Sequence, residues 1–140
     1  MAAPRVGSRL ERLLKLDAAG IKSGAQFVGD MNPLHHDDTQ AAASRYGELI
    51  ASGAHTSALL AGMLGSGFGD EGSDLRGQVG VDYRVQFRRP IRIDREMRME
   101  WVVVAHEAHG SGTMARLEGR VVDIDSGKVA IEATLSVLYF

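Results

Sequence analysis

The second half of the chain alternates between apolar and polar residues, and few sequence features restrict a fold more. Val79, Val81, Tyr83, Val85 and Phe87 alternate with Gly80, Asp82, Arg84, Gln86 and Arg88. Side chains two apart share a face in an extended strand, so this run predicts a strand with one wet face. Arg89-Pro90 ends it, because proline cannot donate to a sheet ladder. Met97, Met99, Trp101, Val103 and Ala105 alternate with Glu96, Arg98 and Glu100, and lead to a turn at His109-Gly110-Ser111-Gly112. A third run, Thr113 to Ile124, reaches the turn Asp125-Ser126-Gly127. A fourth then puts Val129, Ile131, Ala133, Leu135, Val137 and Tyr139 on one face. Four consecutive strands with short turns predict an antiparallel meander.

The first half follows other rules. Arg9 to Leu16 reads as an opening strand, although its leucine spacing also suits a short helix. Asp17 is placed to cap a helix running to about Val28, with Gly20 and Gly24 weakening it. Asn32-Pro33 stops that helix, and residues 38–45 form a second short one that closes at Tyr46-Gly47. From Gly53 to Leu64, the apolar Leu59, Leu60, Met63 and Leu64 stand among small Ala and Gly, which predicts a tightly packed helix buried nearly all round. Gly65 to Gly77, including Phe68, is a glycine-rich acidic loop, long enough to serve as a lid. The order of elements predicts an α+β fold, a sheet wrapped around a central buried helix. Such a sheet leaves an edge strand, and pairing with a second copy would cover it, so a homodimer or a higher homo-oligomer is expected.

At 140 residues the chain holds one domain, 1–140. A net charge of −2 gives no case for nucleic-acid binding. With no cysteine, disulfides, thiolate zinc sites and a thiol nucleophile are excluded, and a reducing cytoplasm is the expected compartment. No stretch approaches the roughly 20 apolar residues of a membrane span, so no membrane partner is expected.

The stretch Phe27-Val28-Gly29-Asp30-Met31-Asn32-Pro33-Leu34-His35-His36-Asp37 carries the chemistry. A helix end followed by a rigid Asn-Pro turn can bring Asp30 and His35 to one point. A partly buried carboxylate beside an imidazole suits general acid–base work near neutral pH. Asn32, the only asparagine, can bond local backbone in such a turn. A metal reading of His35, His36, Asp37 and His55 is disfavoured, because adjacent residues rarely point to one centre and Asp37 equally suits an N-cap.

Gly29-Asp30-x-Asn32-Pro33-Leu34-His35-x-Asp37, followed by Ala41 or Ala42, Tyr46-Gly47 and Ile50-Ala51-x-Gly53, resembles the MaoC-like domain, home of the (R)-specific enoyl-CoA hydratases. The resemblance implies the hotdog fold and a hydro-lyase that adds water to, or removes it from, an α,β-unsaturated acyl thioester, with no cofactor beyond the coenzyme A or carrier-protein thioester itself. It implies that Asp30 and His35 activate water and that the Gly53 N–H polarises the thioester carbonyl. The physics agrees, since a donor facing developing enolate charge at a helix N-terminus can contribute ~3 kcal/mol. The chain departs from the family where Ser52-Gly53-Ala54 replaces His-Gly-Met and where Ala61 replaces a common serine. With Asn32, His55 and Phe68, residues Ser52 and Ala61 are expected near the acyl pocket. Arg88 and Arg89, in a cluster with Arg84, Arg92, Arg95 and Arg98, are candidates for gripping coenzyme A phosphates. Met97, Met99 and Trp101 read as core or dimer contacts, and His106 and His109 as surface residues. Two rival functions stay open, a hotdog acyl-thioesterase and a non-catalytic acyl-CoA-binding subunit.

Overall fold

The computed structural model describes residues 3–68 and 77–140; the glycine-rich loop expected over 65–77 therefore lies largely outside the described residues. Strand β1 (Arg9–Leu14) is followed by helices α1 (Ala18–Phe27), α2 (Asp38–Ala43) and α3 (Gly53–Gly62). Strands β2 (Gln78–Phe87), β3 (Met97–His109), β4 (Gly112–Asp123) and β5 (Val129–Tyr139) complete the chain. The five strands form one antiparallel sheet in the order β1-β3-β4-β5-β2. This is the expected hotdog architecture. No helix among the described residues is long and apolar enough to cross a membrane.

The four-strand meander is corrected by the topology. Only β3, β4 and β5 run consecutively. Strand β2 instead pairs with β5, at the far side of the sheet from β3. Alternation identifies the face of a strand but not its neighbour. As an edge strand, β2 leaves Val79, Val81 and Phe87 exposed despite their shared apolar pattern. The alternation of β5 holds from Ile131 onward: Ile131, Ala133, Leu135, Val137 and Tyr139 are buried, whereas at the strand's start Val129 is half-buried and Ala130 is buried.

The core lies between the sheet and α3. Met97, Met99, Trp101 and Val103 point into it from β3, so the first three are core residues in a single chain. Two side chains tie the sheet to the helix backbone. The Trp101 indole donates to the Leu60 carbonyl at 2.8 Å, and the Tyr83 hydroxyl donates to the Ser57 carbonyl at 2.7 Å. Gly119 on β4 lies beneath Trp101, and an added Cβ there would overlap the indole. Burial pushes the Tyr83 hydroxyl up to about 12. The expectation that α3 is buried all round is corrected as well. Thr56 and Leu60 are buried, whereas Ala54, Ala58 and Gly62, each four residues apart, form an open stripe. One sheet covers one side of a helix, and small residues fit either a close contact or an open surface.

Candidate active site

The site starts from a helix end. Asp17 caps α1, its side chain accepting from the Gly20 N–H at 2.7 Å. At the other end Gly29 takes φ +76°, the left-handed conformation that reverses a chain after a helix. The reversal lets the Asp30 N–H donate back to Ala25 O at 2.9 Å and so fixes where the Asp30 side chain starts. Asn32 then caps a 3-10 helix, Pro33–His35, accepting from the Leu34 N–H at 3.1 Å, with Pro33 at its first position. Asp37 caps α2 by accepting from the N–H groups of Thr39 and Gln40, both at 3.0 Å. His36 braces the turn through a 2.8 Å contact from Nε2 to the Asp30 carbonyl.

This winding brings the two candidates together. His35 Nε2 lies 3.2 Å from Asp30 Oδ2. His35 is buried, and its Nδ1 meets the Ile50 carbonyl at 2.7 Å. A carbonyl oxygen only accepts, so Nδ1 carries a hydrogen. The Nε2–Oδ2 contact therefore needs a proton of its own, on the imidazole or on the carboxyl. Ile50 is itself held from both sides. Its N–H donates to Leu34 O at 3.3 Å, while the Ala51 N–H donates to Ile91 O at 2.8 Å and the Ile93 N–H to Leu49 O at 3.1 Å.

A third side chain enters that the sequence did not tie to the pair. The Ser52 hydroxyl donates to Asp30 Oδ2 at 2.6 Å, and Ser52 also caps α3, its Oγ accepting from the His55 N–H at 3.5 Å. The Ser52 hydrogen bond is the main reason the Asp30 carboxyl lies below its ordinary value; burial opposes it, and the Asn32 N–H and the two neighbouring imidazoles add to it.

A cleft of about 310 Å³ opens at this point, with His35, Tyr46, Gly53, Thr56, Phe87, Arg88 and Arg89 in its wall. Asp30 and Ser52 adjoin the wall through His35 and Gly53. Gly53 is the first residue of α3, where backbone N–H groups have no partner within the helix. Phe87 packs on it so closely that a Cβ at 53 would stand 2.8 Å from Cε1 of the ring. Arg88 and Arg89 reach the same cleft with their guanidiniums already engaged. Arg88 pairs with Glu132 at 2.9 Å, and Arg89 donates to Val129 O at 2.9 Å.

The remaining candidates lie elsewhere. Asn32 is exposed and occupied in its turn. His55 packs against Gly24 of α1, its Nδ1 buried without a hydrogen-bond partner among the described residues, and burial lowers its pKa. Ala61 is half-buried on α3, and Phe68 packs on the core with φ +63°. His106 is partly buried with Nε2 on the Pro4 carbonyl, a correction to its reading as a surface residue, since the chain start folds over β3; His109 is exposed.

The antiparallel sheet around a central helix defines a hotdog protein. Residues 9–124 match the model of the MaoC like domain, and the chain belongs to that family. It is 30% identical over 86 residues to a 3-hydroxybutyryl-CoA dehydratase of Methylorubrum extorquens, a match covering 60% of this chain and 52% of the relative, so it spans about half of that protein. An (R)-hydratase from A. caviae superposes with a TM-score of 0.83 at 23% identity, covering 98% of both chains. A MaoC-like dehydratase from Rhodospirillum rubrum gives a TM-score of 0.78 at 27% identity, over 98% of this chain and 93% of that one.

Proposed function

We propose that the protein hydrates an α,β-unsaturated acyl thioester, or runs the reverse dehydration, as an (R)-specific enoyl-CoA hydratase. The 3.2 Å approach of His35 Nε2 to Asp30 Oδ2 beside a cleft that also exposes the first turn of α3 carries this reading. The thioester carbonyl sits against the Gly53 N–H, where the helix end stabilises the enolate oxygen. Asp30 takes a proton from water as its oxygen bonds to Cβ. The π electrons move toward the carbonyl, and the dyad returns a proton to Cα. The thioester carries the whole reaction without a metal or redox group. Arg88 and Arg89, at the cleft wall, are placed to meet the carrier's phosphate; Arg88 would exchange its Glu132 partner for it. The open β2 edge, with Val79 and Val81 exposed, suits a homodimer.

Incubation with crotonyl-CoA tests this reading. Loss of enoyl absorbance without thiol release is expected. Asp30→Asn and His35→Ala should each lower kcat by about 10²–10⁴ in a protein that still folds. Thiol release instead would indicate a thioesterase, and inertness over several chain lengths would indicate a binding subunit. Full activity in both variants would overturn the site.

A further inference from the structure

Ser52 has a more specific role than lining a pocket. It is wholly buried, so no solvent competes for its hydroxyl. Its Oγ accepts the His55 N–H at the start of α3, which leaves its own hydrogen for Asp30 Oδ2. Both oxygens of that carboxyl thus accept hydrogen bonds, while the side chain stays partly exposed. Oδ1 accepts from the Asn32 N–H at 3.2 Å, and Oδ2 faces both Ser52 and His35. Protonating Asp30 would weaken the Ser52 and Asn32 hydrogen bonds, since a charged acceptor holds its donors about twice as strongly as a neutral one. Protonating His35 on Nε2 leaves both at full strength, with Nδ1 already holding its hydrogen against Ile50 O.

We propose that Ser52 is a positioning residue that sets the polarity of the dyad, keeping Asp30 as the carboxylate and the shared proton on His35. This rests on the hydration reading above and assigns its two roles. Asp30 accepts the proton from water, and His35 delivers the Nε2 proton to Cα. The proton on Asp30 then crosses the direct contact to His35, so the pair returns to its starting state with atoms and charge balanced. Ser52 also joins the base to the same helix end that presents the Gly53 N–H, and so fixes the spacing of base and oxyanion donor. The charged groups facing Asp30 are His35 and His36 from the 3-10 segment, with the α3 N-terminus on the Ser52 side.

Ser52→Gly tests this, since glycine starts a helix nearly as well as serine but lacks the hydroxyl. Ser52→Ala and Ser52→Thr accompany it in the full chain. With crotonyl-CoA, kcat should fall about tenfold in the Gly and Ala variants, the loss of one charge-assisted hydrogen bond. KM should stay within about twofold, and the acid limb of kcat/KM should move to higher pH, with Thr moving it back. Carbon-detected NMR of the Asp30 carboxyl should show it titrating at higher pH in Ser52→Gly than in the parent. A folded Ser52→Gly with an unchanged Asp30 titration overturns the proposal. Because the NMR titration needs no substrate, a parent protein inert toward enoyl thioesters would overturn the hydration reading alone.

Discussion

Gly53→Ala separates the demands of the fold from those of the chemistry. The added Cβ would stand 2.8, 3.1 and 3.3 Å from Cε1, Cζ and Cδ1 of Phe87, inside the ~3.5–4.0 Å of ordinary carbon contact. Phe87 is 57% exposed and ends the edge strand β2, so its ring can turn away. Turning it off its rotamer costs about 0.5–1.5 kcal/mol. Alanine recovers about 0.4–1 kcal/mol by restricting the unfolded chain, because Gly53 does not hold a left-handed conformation. The two effects nearly cancel, so stability should change by less than about 1 kcal/mol and Tm by a few degrees. Chemistry has no such compensation. A methyl group and a displaced ring would crowd the cleft beside the Gly53 N–H, and a misplacement of ~1 Å costs about 10²-fold. Crotonyl-CoA hydration should therefore drop about a hundredfold in kcat/KM in a folded protein. In a Phe87→Ala background the same change should become stabilising, with activity still low. Retention of kcat/KM within about threefold would refute the placement of the thioester, and a loss of more than about 3 kcal/mol would refute the idea that the ring yields.

Two predictions concern the sheet. Trp101→Phe leaves the buried Leu60 carbonyl without its indole donor and should cost about 1–3 kcal/mol in urea unfolding; a neutral result would mean the bond contributes nothing. Burial opposes ionisation of Glu100, but hydrogen bonds from Arg120 and Arg98 outweigh it and hold the carboxyl below its ordinary 4.5. A depressed carboxyl contributes stability above its unfolded value and loses it as pH falls through the folded one. The parent's margin over Glu100→Gln should hold from pH 7 to about 5 and shrink below 4.5. Urea midpoints across that range check it, and a margin constant to pH 3 contradicts it.

Sequence periodicity located what depends on local pattern. Strand β5 and the caps Asp17 and Asp37 were legible because each needs only its near neighbours. The meeting of Asp30 with His35 was legible because one helix end and one Asn-Pro turn produce it. The placement of β2 beside β5 was not, since nothing in its alternation names a partner. Ser52 reaches Asp30 across 22 positions, and the Ile50 carbonyl that orients His35 offers no side-chain signal at all. Phe87 over Gly53 likewise depends on which strand lies at the sheet's edge. A glycine at 53 was readable; the ring that packs against it was not.

Among the described residues, strand β2 has a hydrogen-bonded neighbour on one flank only, yet its last side chain bounds the first turn of α3. An edge strand of the sheet thus carries the aromatic rim of the cleft. Stiffening of its outer flank by any pairing segment is transmitted to Gly53 through one ring. Ligand entry and whatever docks along that border are consequently governed by the same ten residues.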